Sequence, residues 1–175
     1  MWAVTTGAEA GAQLRSIGWF HALLTAQGVD YWLFGGWAVD FHVGRVTRDH
    51  ADVDVAIWAE DLDRIGTLLE AEGWTHAPVP GEQGYTGYER AGTRLELAFL
   101  ARDEAGTVYT PLAAGRGDWP AGSFGDDQAE VDGVLARVVG LSSLIEDKSG
   151  PRVDPVAAAK DRADVALLTS LHAGG

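Results

Sequence analysis

Residues 33–55 read LFGGWAVDFHVGRVTRDHADVDV, and the fold turns on this stretch. Gly35 and Gly36 close the short apolar run that begins at Tyr31, and fifteen residues separate them from Asp52-Val53-Asp54-Val55. The run before the glycines has the pattern of a short buried strand ending in a Gly-Gly turn. WAVDFHVG, residues 37–44, fits a short helix stopped by Gly44. ADVDVAIW, residues 51–58, alternates polar and apolar side chains and reads as a strand. Alternation puts Asp52 and Asp54 on one face, about 7 Å apart, with Val53 and Val55 pointing into the core. Two carboxylates so placed repel each other unless a cation lies between them. Hard oxygen donors favour Mg²⁺, completed by water and substrate phosphates. Alone, Asp-Val-Asp also fits the solvated face of an edge strand. The upstream glycines shift the balance, because glycine lets backbone N–H groups approach a triphosphate closely.

Outward from this stretch, residues 8–27 carry Leu14, Ile17, Leu23 and Leu24 near helical spacing, with Gly28 as the stop. Residues 61–73 form an amphipathic helix with Leu62, Ile65, Leu68 and Leu69 as its apolar stripe and Gly73 as its C-terminal cap. Strands are expected near 84–90, at 93–100 (TRLELAFL) and over Thr107–Leu112, followed by a loop over 113–127, rich in Gly, Asp and Pro. Residues 129–139 read as a hairpin turning at Asp132-Gly133. Ser143 and Glu146 have capping-box spacing, and Asp154-Pro155 is a strong helix start. The order predicts an α+β protein: a small mixed β-sheet flanked by helices in residues 1–140, then a short C-terminal helical segment over 141–175.

Thirteen Lys and Arg against 26 Asp and Glu give a formal net charge of −13. Such a surface repels a phosphate backbone, so general nucleic-acid binding is not expected, whereas a cationic small molecule is attracted. The same acidity also serves plain solubility. With no cysteine, disulfides, zinc–thiolate sites and a cysteine nucleophile are excluded. The opening MWAVTTGAEAGAQ has neither a basic nor an apolar leader region, and no run of about 18 apolar residues exists. A cytoplasmic chain without membrane contact is the expectation.

The residues quoted at the outset, Gly35-Gly36-Trp37-Ala38-Val39-Asp40, Gly44-Arg45-Val46-Thr47-Arg48-Asp49-His50 and Asp52-Val53-Asp54-Val55, closely resemble the aminoglycoside and lincosamide nucleotidyltransferases, within the DNA polymerase beta-like nucleotidyltransferase superfamily. The spacer between Gly-Gly and Asp-Val-Asp is slightly longer than is usual there. The resemblance implies the nucleotidyltransferase fold and transfer of a nucleoside monophosphate, AMP from ATP as the usual case, to a hydroxyl of a small molecule, with release of pyrophosphate. Its acceptor would be an aminoglycoside, which as a polycation suits the acidic surface, or else a lincosamide; a protein- or tRNA-modifying enzyme is a further alternative.

By the same resemblance Asp52 and Asp54 hold the catalytic Mg²⁺, as two ions, one gripping the triphosphate and one activating the hydroxyl. A third carboxylate is expected on a later strand. Glu96, between Leu95 and Leu97, is the best candidate, either completing the metal site or taking the acceptor's proton; a surface role remains its plain alternative. Gly35 and Gly36 would contact the β- and γ-phosphates. Arg48, and less directly Arg45, would neutralise the triphosphate, unless each instead pairs with this acidic chain. His50 would touch phosphate or acceptor, or make a structural hydrogen bond. Asp40 reads equally as a structural partner of Arg45 or Arg48, and Trp37 as packing rather than a base platform. Lys148 and the run Lys160-Asp161-Arg162-x-Asp164 resemble the superfamily's C-terminal segment, where a lysine reaches the nucleotide; helical pairing of Lys160 with Asp164 is the alternative. The loops 78–88, with Tyr85 and Tyr88, and 113–127 are candidates for the acceptor pocket. A chain of this length has little room for a second large domain, which raises the expectation of an acceptor site shared across a homodimer.

Overall fold

The computed structural model describes residues 7–174; residues 1–6, part of the stretch read for a leader, lie outside them. Helix α1 (Ala8–Gln27) buries Leu14, Ile17, Phe20 and Leu24, a stripe at helical spacing, and ends at Gly28. There a left-handed φ of +66° lets the Gly28 and Val29 N–H groups return to the carbonyls of the last turn. Strand β1 (Tyr31–Phe34) runs directly into α2 (Gly35–Val43), which Gly44 caps in the left-handed conformation. The two glycines are thus the opening residues of a helix rather than a separate turn. Strand β2 (Val53–Trp58), a short 3₁₀ turn and α3 (Leu62–Ala71) follow, with Gly73 just beyond the helix at φ +85°.

The remaining strands are β3 (Thr75–His76), β4 (Tyr85–Arg90), β5 (Thr93–Arg102), β6 (Val108–Leu112), β7 (Gly115–Asp118), β8 (Gln128–Val131) and β9 (Val134–Arg137). The main sheet runs β1-β2-β5-β4-β3, with β6 and β7 extending from β5. Among the described strands of this sheet, β2 and β5 pair in parallel and the other pairs are antiparallel, so the sheet is mixed, and the connection from β2 to β5 carries α3. Helices α4 (Leu141–Lys148) and α5 (Pro155–Ala173) finish the described chain.

One face of β2 and β5 presents Val53, Val55, Ile57, Leu95 and Leu97, all fully buried in one core with Ile17, Phe20 and Leu24 of α1 and Ile65 and Leu69 of α3. Several tryptophans also serve packing. Trp19 stacks on Trp74, Trp32 meets Trp58 and Phe124 edge-on, and Trp37 is buried in the core cluster.

Three local expectations change. The segment 113–127 contains β7, which pairs with β6; the indole N–H of Trp119, just past β7, reaches the Thr110 hydroxyl. Ser143 and Glu146 form no capping box: Gly140 occupies the cap, and the Ser143 hydroxyl instead donates to the Ala121 carbonyl. Asp164 does not pair with Lys160, for it faces Arg48 and Lys148. The Asp132-Gly133 hairpin turn, with φ +48° and +80°, and the Asp154 cap on the Val156 and Ala157 N–H groups stand as expected.

Candidate active site

Asp54 lies on β2 and Glu96 on β5, and the parallel register makes them direct partners. Asp52 sits just before β2. Among the described residues, these three carboxylates offer ligand atoms that all lie within 4.8 Å of one another. Burial, and then repulsion from Asp52 and Glu96, holds the Asp54 carboxyl well above the usual carboxylate range, against the pull of Lys148 and Arg48. Burial, then Glu96, likewise raises Asp52. A divalent cation relieves both penalties, so the donor set fits a hard ion such as Mg²⁺. Arg94, two residues before Glu96 on the same face, donates from Nε to Glu96 Oε1 at 3.0 Å and holds that carboxylate in place.

The glycines fit this site by what they lack. A Cβ on Gly35, where φ is +65°, would stand 2.3 Å from Asp54 Oδ2. One on Gly36 would stand 2.5 Å from His50 Nδ1 and 2.7 Å from Arg48 Nη2. Only glycine lets the start of α2 lie this close to the carboxylate on one side and the guanidinium on the other.

The loop from Gly44 to Asp52 is pinned from beneath. Fully buried Asp40 accepts from the Thr47 hydroxyl and from His50 Nε2, the latter at 2.6 Å, and pairs with neither Arg45 nor Arg48. Arg48 Nη1 lies 3.1 Å from His50 Nδ1. A guanidinium can only donate, so Nδ1 carries the lone pair and Nε2 carries the hydrogen given to Asp40. The His50 ring also lies 4.7 Å from that of Trp37, and Gln13 of α1 ties both down, donating to the His50 carbonyl and accepting from the Trp37 indole.

Arg48 then reaches α5: its Nη2 lies 3.0 Å from Asp164 Oδ2. Lys148, only 7% exposed, lies 2.9 Å from Asp164 and 3.1 Å from Asp161, and Arg152 takes the other oxygen of Asp161. Arg48 stands against Gly36, Asp164 links it to Lys148, and both cations pull the Asp54 pKa down. The structure therefore brings together Gly35, Gly36, Arg48, His50, Asp52, Asp54, Glu96 and Lys148. Arg45 is exposed on the loop and makes no side-chain hydrogen bond or ion pair among the described residues. The sequence reading passed over Gln13, Arg94 and the joint role of the α5 acids, Asp161 and Asp164. The spacing of Asp161, Asp164 and Leu168, three residues on one helix face, was the available signal for the last of these.

Residues 18–144 match the family described as aminoglycoside-2''-adenylyltransferase, well over half of the chain. The chain belongs to that family. Within it, a 2''-aminoglycoside nucleotidyltransferase of Escherichia coli is 36% identical over 56 residues, covering 30% of this chain and 32% of that protein. A lincosamide resistance protein of Staphylococcus haemolyticus is 39% identical over 46 residues, covering 26% of this chain and 29% of that protein. The chain thus matches about a third of the length of these curated relatives. Fold similarity extends further. The lincosamide antibiotic adenylyltransferase LnuA, solved with lincomycin bound, superposes with a TM-score of 0.70 at 18% identity, over 90% of this chain and 96% of that one. ANT(2'')-Ia in complex with adenylyl-2''-tobramycin does so with a TM-score of 0.65 at 22% identity, over 93% and 98%. The family's nucleotidyltransferase fold is therefore present across nearly the whole chain.

Proposed function

We propose that this protein transfers a nucleoside monophosphate, AMP from ATP as the leading case, to a hydroxyl of a small cationic acceptor, with an aminoglycoside as the first candidate. The observation that carries this reading is the convergence of Asp52, Asp54 and Glu96 within 4.8 Å, a donor set that suits metal-dependent nucleotidyl transfer. When bound there, Mg²⁺ supplies charge neutralisation and Lewis-acid polarisation of phosphate oxygens. The family membership and the 2''-aminoglycoside nucleotidyltransferase relatives support the acceptor class, and the net charge of −13 suits a polycation.

In this reading Arg48 and Lys148 neutralise the triphosphate, and the first turn of α2 lies against it. The acceptor oxygen attacks the α-phosphorus, the bond to the bridging oxygen of the β-phosphate breaks, and pyrophosphate leaves with that electron pair. The hydroxyl proton passes to a carboxylate at the site. Glu96 suits that role, because Arg94 engages Oε1 and its second oxygen remains for the proton or the metal. We read residues 141–175 as an appended segment whose α5 closes the site over Arg48. A lincosamide is the second acceptor reading, favoured by the 39% identity to the lincosamide resistance protein.

The test is pyrophosphate release from Mg-ATP across a panel of aminoglycosides and lincosamides, with Asp52→Asn as control. Release that needs one class of acceptor and Asp52 supports the reading and names the class. Release that survives in Asp52→Asn removes the carboxylate assignment.

A further inference from the structure

We infer that Asp164 is a positioning residue: one oxygen of this α5 side chain gathers Arg48 and Lys148 into a paired receptor for the triphosphate. The inference rests on the nucleotide reading above and deepens it, assigning a role to a carboxylate outside the group of three.

Arg48 comes from the loop before β2 and Lys148 from the last turn of α4, so nothing local holds them together. Asp164 Oδ2 accepts from Arg48 Nη2 at 3.0 Å and stands 2.9 Å from Lys148 Nζ as an ion pair, and Arg48 Nε lies 3.4 Å from Oδ1. Two cations converging on one point repel each other unless an anion sits between them. Asp164 is 1% exposed, so water screens its carboxylate little, and charge-assisted bonds to it are strong.

Donor capacity shows that the pair is not saturated. An ammonium has three hydrogens, of which Asp161 takes one on Lys148, while Asp164 contacts the same nitrogen as an ion pair. Both hydrogens of Arg48 Nη1 are directed at the Asp49 carbonyl and His50 Nδ1, whereas Nη2 gives one to Asp164 and keeps one. Each cation thus retains a hydrogen that no acceptor among the described residues takes. Arg48 also lies over Gly36, where a Cβ would come within 2.7 Å of Nη2, so its end of the pair stands at the opening turn of α2. Asp161 buttresses the far side, accepting from Lys148 and from Arg152. The rival role, a clamp that the triphosphate must displace, predicts the opposite sign: removing the carboxylate would then free the cations and tighten binding.

The experiment is calorimetric titration of Mg-ATP into the full chain as wild type, Asp164→Asn, Arg48→Ala and the double variant, with thermal melts alongside. Positioning through Arg48 predicts that Asp164→Asn raises Kd about tenfold or more in the wild-type background, and by less than about twofold when Arg48 is already gone. A merely structural role lowers Tm and leaves Kd unchanged, and that result overturns the inference, as does tighter binding or an equal loss in both backgrounds. If Asp164→Asn does not fold, Asp164→Glu keeps the charge but moves the oxygens by one methylene. A several-fold rise in its Kd supports the inference, and an unchanged Kd overturns it. Wild type that takes up no Mg-ATP overturns the nucleotide reading and this inference together; wild type that binds while Asp164→Asn binds equally well overturns this inference alone.

Discussion

Asp54 and Glu96 face each other across the parallel pairing of β2 with β5, and Glu96 adds to the cost of a charge on Asp54. A site of this kind is stressed when empty of cations and relaxed when filled, which makes its behaviour measurable.

Asp54→Asn keeps the shape of the side chain while removing a charge that burial and repulsion penalise. We expect turnover to fall by at least about a hundredfold, as for loss of a metal ligand, with no drop in the Tm of the metal-free protein. Pyrophosphate release and a thermal melt on the same preparation check both halves. Retained turnover removes Asp54 from the site.

Mg²⁺ is expected to raise the Tm of the wild type, by an amount equivalent to about 2.7 kcal/mol when the ion is present at a hundred times its Kd. The increase is expected to vanish in an Asp52→Asn, Asp54→Asn double variant, and chelation is expected to stop turnover. Differential scanning with and without the ion reads this directly; equal increases in both proteins would place the ion elsewhere.

Gly35 and Gly36 are expected to fail differently when changed to alanine. At Gly35 a positive φ and a 2.3 Å approach to Asp54 combine, so Gly35→Ala is expected to cost roughly 1–3 kcal/mol and to abolish turnover. At Gly36 the obstacle is the end of the Arg48 side chain and the His50 ring, and no positive φ is involved. Gly36→Ala is expected to weaken Mg-ATP binding more than it lowers stability. Urea unfolding with nucleotide titration separates the two outcomes, and identical behaviour of the variants contradicts the geometry.

Tyr31 supplies a pH signature of the core. Burial pushes its hydroxyl up to about 12, despite the Arg137 backbone N–H that it accepts, and the same group lies 2.7 Å from His21 Nδ1. The unfolded chain ionises this tyrosine near its ordinary value of 10, whereas the folded chain keeps its proton. Between those values the unfolded state binds fewer protons, so stability falls as pH rises. Tyr31→Phe lacks this contribution, and wild type is expected to lose about 2–3 kcal/mol relative to the variant between pH 10 and 12. Parallel urea curves at pH 9 and 12 would show the gap unchanged if the hydroxyl were not buried.

Much of this was written locally. Gly28 and Gly44 stop helices because the left-handed conformation is cheap for glycine, and Asp154-Pro155 starts one because a carboxylate and a fixed φ satisfy its first turn. Alternation placed Asp54 and Glu96 on the polar faces of their strands, between valines on one and leucines on the other. These are matters of period and of backbone preference, and neighbours in sequence suffice to set them. Strand β7 was not legible, since Gly115-Arg116-Gly117-Asp118 has no apolar alternation and forms by pairing with β6.

What the sequence determined by itself was therefore most of the elements and the candidate carboxylates of the Gly35-to-Val55 stretch. Only the tertiary structure decided that Asp54 stands opposite Glu96, that Asp40 serves His50 and Thr47 instead of an arginine, and that Asp164 draws Arg48 and Lys148 together. The physical reason is the same in each case. A side chain's face follows from the period of its own element, but its partner follows from which apolar faces bury against one another, and that is settled by the whole core at once.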